Sequence, residues 1–185
     1  MSRVLVISAH QDLNQSTSNR LILNTLEEKL GSQVSVRRLT ELYPDFNIDV
    51  AAEQQALVEA DVVVFQFPLF WYNVPAILKK WLDDVWTYGF AYGEGGNKLQ
   101  GKKLLVSLTT GGVAEVYTDA VMGNIEDLVK PLKSSATYTG FEWAGVEATF
   151  AQLYIPGVHS DADLANVQTK AQAHAERMVA KLASL

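Results

Sequence analysis

The amino-acid sequence predicts an α/β fold in which helices cover both faces of a parallel β-sheet. Short runs of apolar and β-branched residues alternate along the chain with segments of helical periodicity. One of these runs, Asp61–Phe67 (DVVVFQF), is apolar almost throughout, as is typical of a strand buried on both faces. The chain has 185 residues, a length that predicts one domain over 1–185.

The first half of the chain predicts two strands and two helices ahead of the Asp61–Phe67 strand. A polar loop, 10–16, follows the first strand, and the next segment has one apolar face that ends at Gly31. The predicted elements are a strand over Arg3–Ala9, a helix ending at Gly31, a strand over Gln33–Leu39, a turn-rich connector over 40–50 and a short helix over Ala51–Glu59.

The second half continues the same alternation. Proline suits the first turn of a helix, so Pro75 is expected to begin one, whereas Pro131 is expected to interrupt another. The predicted elements are a helix from Pro75 to Trp86, a strand over Leu104–Thr109, a helix over 125–135, a strand over Glu147–Tyr154 and a final helix after Ser160 and Asp161. Five strands in this order favour a flavodoxin-like doubly wound sheet with strand order 2-1-3-4-5.

Composition excludes several classes of function. The net charge is −6 and the basic residues are scattered, which argues against nucleic-acid binding. The absence of cysteine excludes cysteine nucleophiles and thiolate metal sites, and three scattered histidines give no metal-ligand pattern. The apolar run near the N-terminus is too short for a signal peptide, so a cytoplasmic protein is expected.

In a doubly wound sheet, ligands bind beyond the carboxyl ends of the strands, where the strand order reverses. The loop after the first strand has neither the glycines nor the lysine of a nucleotide-binding P-loop. It carries four hydroxyl and amide residues at a helix start: Ser16, Thr17, Ser18 and Asn19. Such residues either cap the helix or form a neutral cradle for a phosphate, and on their own capping is the simpler interpretation.

Two further loops reach the same edge of the sheet. The loop PLFWYNVP places Trp71 and Tyr72 ahead of the next helix, where aromatic rings can stack on a flat ligand. The loop Thr109–Gly112 (TTGG) allows close approach of its backbone, and Tyr117 follows five residues later. A phosphate cradle, an aromatic slot and a glycine-rich rim together suggest a phosphorylated planar cofactor, and a flavin fits.

These segments also carry a family resemblance. Phe67–Trp86 (FPLFWYNVPAILKKWLDDVW), followed by TTGG, resembles the flavodoxin-like NAD(P)H:quinone oxidoreductases, which include DT-diaphorase and bacterial general stress oxidoreductases. Leu42–Leu57 (LYPDFNIDVAAEQQAL) is most similar to the ancillary proteins of glutathione-regulated potassium-efflux antiporters in the same family. The resemblance covers nearly the whole chain.

The resemblance implies a bound flavin: FMN as in the short bacterial members, or FAD as in the larger ones. It assigns the ribityl phosphate to His10, Ser16, Thr17, Ser18 and Asn19, the isoalloxazine ring to Leu69, Phe70, Trp71 and Tyr72, and the pyrimidine edge to Thr109, Thr110, Gly111 and Gly112. Tyr117 matches a family tyrosine beside the flavin and substrate pocket and is the candidate catalytic residue. No metal is implied.

The activity that the resemblance implies is a ping-pong reaction. NAD(P)H passes hydride to the flavin and leaves, and a quinone-type acceptor then receives two electrons. A homodimer is also implied. Two departures from DT-diaphorase bear on turnover: Gly123 stands where that enzyme has histidine, and Phe70 where it has glutamine.

Two alternatives remain open. In the first alternative, the chain is a flavin-binding regulatory subunit of a potassium-efflux antiporter. It would be peripheral at the inner membrane through that partner, and its oxidoreductase activity would be secondary or absent. A one-electron carrier like flavodoxin ranks last, because such carriers are usually more acidic and the aromatic loop suits a substrate.

Overall fold

A computed structural model describes residues 2–185. All five strands are parallel and their order is β2-β1-β3-β4-β5, which confirms the flavodoxin-like sheet predicted from the sequence. The strands are β1 (Val4–Ser8), β2 (Val34–Arg38), β3 (Val62–Pro68), β4 (Lys103–Thr109) and β5 (Glu142–Thr149). The α-helices are α1 (Thr17–Leu30), α2 (Leu39–Leu42), α3 (Val50–Glu59), α4 (Ala76–Val85), α5 (Ile125–Leu128), α6 (Lys130–Thr139) and α7 (Asp161–Ala183).

The core lies in two layers, one on each face of the sheet. On one face α1 and α7 pack against β1 and β3, with Ile22 and Leu26 facing Ala171 and Met178. On the other face the fully buried Trp81 of α4 packs edge-on against Phe65 of β3, at 5.8 Å between ring centroids. The inner strands β1 and β3 are buried along their whole length, which explains their continuous apolar sequence.

The position of β5 corrects a prediction. The sequence pattern favoured a strand over Glu147–Tyr154, but β5 runs over Glu142–Thr149. It lies at the edge of the sheet and contains Gly145, and its pairing with β4 shifts register between Leu104 and Leu105, so it lacks a clear apolar pattern. Ala151 has φ 55°, a left-handed conformation that prevents the strand from continuing. Residues 150–154 therefore form a loop at the carboxyl edge of the sheet.

Two other predictions need smaller corrections. The connector predicted over 40–50 begins inside a one-turn helix, α2, that follows β2 directly. The helix predicted over 125–135 is two helices, with the break at Val129 and Pro131 in the first turn of α6. Proline has no N–H and is tolerated in a first turn, so Pro131 starts the second helix rather than bending a longer one.

None of the helices between residues 2 and 185 is long and apolar enough to cross a bilayer.

Candidate functional site

A cleft of 590 Å³ opens at the carboxyl edge of the sheet, where the strand order reverses between β1 and β3. Its volume lies in the range of small-molecule binding sites. The lining residues are His10, Gln15, Ser16, Thr17, Ser18, Asn19, Pro68, Leu69, Phe70, Trp71, Thr109, Thr110, Gly111, Gln152, Leu153 and Tyr154. None of these lining residues is an aspartate, glutamate, lysine or arginine, so the cleft is neutral, as the sequence predicted for its phosphate cradle.

The first helix begins at the floor of this cleft. Ser16 is its N-cap: the Ser16 hydroxyl oxygen accepts the N–H of Asn19 at 3.1 Å. The N–H groups of Thr17 and Ser18, in the first turn, have no partner within the helix, and the helix dipole makes this end positive. Capping and anion binding are therefore compatible here, because the cap occupies only one of the free N–H groups.

His10 stands beside the cradle as a neutral donor. Its Nδ1 accepts the N–H of Asp12 at 3.1 Å, so the ring proton is on Nε2. Partial burial lowers the pKa of His10 and outweighs the opposing influence of Asp12. The ring meets Phe70 edge-on, at 5.9 Å between centroids.

The aromatic loop after β3 is a tight turn with a strained backbone. Phe70 and Asn73 exchange two backbone hydrogen bonds of 3.1 and 2.9 Å, which leaves Trp71 and Tyr72 at the corner. Both corner residues have positive φ, 48° and 63°, a conformation that costs about 1–3 kcal/mol for each non-glycine residue. The turn leaves the Trp71 side chain 93% exposed at the lip of the cleft.

The glycine-rich loop after β4 forms the opposite rim. The Leu69 N–H donates to the Thr109 carbonyl at 2.8 Å, so this rim and the aromatic loop are joined. The Thr110 hydroxyl donates to the Gly112 carbonyl at 3.0 Å. Within residues 2–185 the N–H groups of Gly111 and Gly112 donate to no acceptor, so they remain free for a ligand.

Three of the predicted site residues do not line the cleft. The Tyr72 hydroxyl donates to the sulfur of Met122 at 3.3 Å, away from the cavity. Gly112 and Tyr117 lie just behind the rim, where a β-carbon on Gly112 would be 3.1 Å from the Tyr117 ring. The other predicted residues converge on the cleft: His10, Ser16, Thr17, Ser18, Asn19, Leu69, Phe70, Trp71, Thr109, Thr110 and Gly111.

The loop after β5 supplies lining residues that the sequence reasoning missed. Gln152, Leu153 and Tyr154 close the cleft, and Gln152 Oε1 accepts the hydroxyl of Ser18 at 2.7 Å. The sequence pattern placed these three residues in the predicted strand over Glu147–Tyr154, so they were not expected in a loop at the cleft. The rule that directed attention to the loops after the first, third and fourth strands applies equally to the fifth.

Gly123, one of the two departures from DT-diaphorase, lies in the segment before α5 and does not line the cleft. Its φ is 77°, and its N–H donates to the Thr118 carbonyl at 2.9 Å. A histidine at this position would need a left-handed backbone that side chains rarely adopt. The local turn therefore favours glycine.

The remaining titratable groups show structural roles. Asp83 pairs with Lys79 and Asp84 with Lys80, one helical turn apart on the exposed face of α4, as expected for solvated carboxylates. The His159 Nδ1 accepts the Ile155 N–H at 2.9 Å within a surface turn. Across residues 2–185 no three histidine or carboxylate residues cluster as metal ligands would.

The fold and the cleft define the class of protein: a flavodoxin-like α/β protein with a neutral, aromatic-lipped ligand cleft at the switch point of its sheet. A family model for the flavodoxin-like fold matches residues 2–181. The chain belongs to this family, which confirms the resemblance found in the sequence.

Individual relatives agree with this assignment. The glutathione-regulated potassium-efflux system ancillary protein KefF of Enterobacter sp. (strain 638) is 43% identical over 140 residues, 76% of this chain and 78% of the relative. The crystal structure of general stress protein 14 from Treponema denticola, in complex with FMN, matches with a TM-score of 0.84 and 30% identity over 97% of this chain and 99% of its own. An NADPH-quinone reductase structure from P. pentosaceus matches with a TM-score of 0.73 and 29% identity, covering 91% and 97%. These relatives support an oxidoreductase of the flavodoxin-like fold.

Proposed function

We propose that this protein binds FMN in the cleft and acts as an NAD(P)H:quinone oxidoreductase. The observation that carries the proposal is the meeting of a helix N-terminus, free hydroxyls and an aromatic lip in one neutral cleft. The FMN complex of the Treponema denticola relative and the quinone reductase from P. pentosaceus support it.

The residues present fit a phosphorylated flavin. A phosphate accepts hydrogen bonds only, and the cradle offers donors: the N–H groups of Thr17 and Ser18, and the Nε2–H of His10. No carboxylate lines the cleft to repel an anion. We propose FMN rather than FAD because the Treponema denticola relative binds FMN.

The bound flavin would supply two-electron hydride chemistry, receiving from NAD(P)H and passing to a quinone-type acceptor in a ping-pong sequence. The protein's part is positioning. The backbone of Leu69, Phe70 and Trp71 would line one side of the ring system, and the N–H of Gly111 would stabilise negative charge at its pyrimidine edge. Tyr117 would act from behind Gly112, at the substrate side.

The first experiment is an anaerobic titration of the purified protein loaded with FMN. We expect NADPH or NADH to bleach the flavin absorbance and a quinone to restore it. Bound flavin that neither cofactor bleaches would contradict the reductase activity, and a protein that takes up no flavin would contradict the cofactor assignment. The exposed variant Val158→Ala, in a surface turn outside the cleft, serves as the control.

A second candidate function is a regulatory subunit of a potassium-efflux antiporter, located in the cytoplasm and held at the inner membrane by that partner. The 43% identity to KefF favours it. The test is potassium efflux from cells that carry the antiporter with and without this protein. An active reductase with no effect on efflux would leave only the enzymatic function.

A further inference from the structure

A chain of side-chain hydrogen bonds, buried except at its exposed first member, Arg177, runs from α7 through β5, β4 and β3 to the cleft. Most of its members have no role in the function proposed above. In order they are Arg177, Thr149, His174, Ser107, Gln66 and Asn19, and the chain ends on the hydroxyls of Ser16 and Thr109. Gln66, Ser107 and His174 are at most 1% exposed. We call this set the buried polar chain.

The far end of the buried polar chain is compatible with one direction of donation. A guanidinium can only donate, and an Arg177 NH2 group donates to the Thr149 hydroxyl oxygen at 2.9 Å. The Thr149 hydroxyl keeps its own proton, which it can donate to Nδ1 of His174, 2.8 Å away. The single Ser107 proton goes to Gln66, so the Ser107 oxygen accepts from Nε2 of His174, and the neutral ring then leaves Nδ1 to accept from Thr149. Burial, aided by Arg177, lowers the pKa of His174 to about 3, consistent with a neutral ring.

The middle of the buried polar chain fixes the direction of donation. The Ser107 oxygen lies 2.6 Å from Nε2 of His174 and accepts the Nε2–H there, because the Ser107 proton is given to Gln66. Ser107 has one proton, and it goes to Oε1 of Gln66. The amide nitrogen of Gln66 is therefore left to donate to Oδ1 of Asn19, at 2.8 Å.

The near end of the buried polar chain lies at the cleft, where Asn19 contacts Ser16 and Thr109. The amide nitrogen of Asn19 has two protons and donates them to Ser16 at 3.3 Å and Thr109 at 3.1 Å. The Ser16 oxygen also accepts the backbone N–H of Asn19 as helix cap, which is compatible with the same direction. Among residues 2–185 neither hydroxyl donates to an acceptor, so both protons remain for a ligand in the cleft.

We propose that the buried polar chain holds two hydroxyls as donors toward the cleft, Ser16 in the phosphate cradle and Thr109 at the glycine-rich rim. Ser107 and His174 are positioning residues that act on the cofactor phosphate through Ser16. The inference rests on the proposed function. A free hydroxyl rotates and serves as donor or acceptor, whereas one held as a donor favours a partner that only accepts. The cradle therefore selects FMN, with its phosphate, over riboflavin, which ends in a hydroxyl.

The test compares FMN with riboflavin on Ser107→Ala, which interrupts the chain without touching the cleft. A hydrogen bond to a charged group contributes more than a neutral one, so we expect FMN affinity to fall about 3- to 10-fold and riboflavin affinity to change less than about twofold. Thr25→Val is the control, because Thr25 is buried and its replacement removes a different, partly buried hydrogen bond between α1 and α7, from Thr25 to Gln172. Equal weakening of both ligands, or the same FMN loss in the control, would overturn the proposal.

A second measurement does not depend on the variant folding. Nitrogen-15 NMR of the histidine side chains in the wild-type protein distinguishes the two neutral tautomers. The Nε2–H tautomer of His174 is expected, and the Nδ1–H tautomer would reverse the chain and overturn the proposal. If the wild type binds neither flavin, the proposed function fails. In that case the buried polar chain is tested alone, by titrating orthophosphate into the wild type and Ser107→Ala. Binding is followed through the amide signals of Thr17 and Ser18, and weaker binding is expected in the variant.

Discussion

Gly111 lies at the rim of the cleft and Gly112 just behind it, and a methyl group would meet different surroundings at each. At Gly112 it would lie 3.1 Å from the Tyr117 ring and 3.2 Å from Val116, so the tyrosine would have to move. At Gly111 the nearest atom is the β-carbon of Leu153, at an ordinary 3.8 Å. The close approach of Tyr117 thus explains the need for glycine at one position only.

We therefore expect Gly112→Ala to lower the free energy of unfolding by about 1 kcal/mol, the cost of modest overpacking. Gly111→Ala should stay within about 0.5 kcal/mol of the wild type. Urea unfolding of the flavin-free proteins measures both. A larger loss in Gly111→Ala than in Gly112→Ala would show that Tyr117 does not lie where it is placed.

His174 predicts a pH dependence of stability. Its pKa is about 3 in the folded protein and near 6.5 when unfolded, so between these values the unfolded state binds one proton more. Stability from this group is complete above pH 6.5 and is lost as the pH falls, by about 1.5 kcal/mol between pH 6.5 and 5.

The check is urea unfolding at both pH values for the wild type and His174→Gln. The variant should lose about 1.5 kcal/mol less stability over this range, since it lacks the buried imidazole. His10 has the same direction of shift but is present in both proteins, so it cancels in the difference. Identical pH dependence in the two proteins would mean that His174 is protonated in the fold.

The helix α3 is held to its neighbours through one buried carboxylate. Glu53 is fully buried, and its oxygens accept from Arg37 at 2.6 Å, from the Tyr43 hydroxyl at 2.6 Å and from the Trp81 indole at 2.9 Å. Burial, then Glu53, raises the pKa of Tyr43 to about 12. A single side chain thus joins α3 to β2, α4 and the segment after α2.

Glu53→Gln should cost about 3 kcal/mol of stability. An amide has one acceptor oxygen, and its N–H₂ group would face the donors that now bind the carboxylate. Asp83→Asn, which breaks an exposed pair with Lys79, should cost less than about 1 kcal/mol. Chemical denaturation measures both, and an absorbance titration of Glu53→Gln should show the pKa of Tyr43 closer to 10. Equal small losses in the two variants would contradict the anchoring role.

The same elements show how far sequence reasoning reaches. The inner strands and the final helix were predictable, because burial on both faces or on one stripe leaves a regular apolar pattern. The edge strand β5 was not, since Gly145 and a register shift remove that pattern. Most of the cleft followed from the switch-point rule. The buried polar chain did not, because Gln66, Ser107 and His174 lie far apart in the sequence and meet only through the sheet.

The molecule as a whole presents an exposed aromatic patch formed by Tyr88, Tyr92 and Tyr138. The ring centroids of Tyr92 and Tyr138 are 5.9 Å apart, and Tyr138 is 73% exposed. Aromatic residues at such density are typical of protein interfaces. The homodimer implied by the family resemblance would cover this patch.

We expect the protein to elute at twice its 20.4 kDa chain mass in light-scattering chromatography. Tyr138→Glu should shift it to the monomer, because a carboxylate would be buried without a partner. Val158→Glu places the same charge at a side chain that is also 73% exposed, outside the patch, and should leave the dimer intact. A dimer that survives Tyr138→Glu would have its interface elsewhere.

The strained turn at Trp71 also gives this protein a built-in optical reporter. The chain has four tryptophans, and while Trp81, Trp86 and Trp143 are buried or half-buried, Trp71 stands almost fully in solvent at the lip of the cleft. Dissolved quenchers such as iodide will therefore quench the fluorescence of Trp71 more than that of the other three tryptophans. A ligand that enters the cleft beside Trp71 will shield its indole from the quencher. Occupancy of the cleft can therefore be followed by intrinsic fluorescence, without an attached dye.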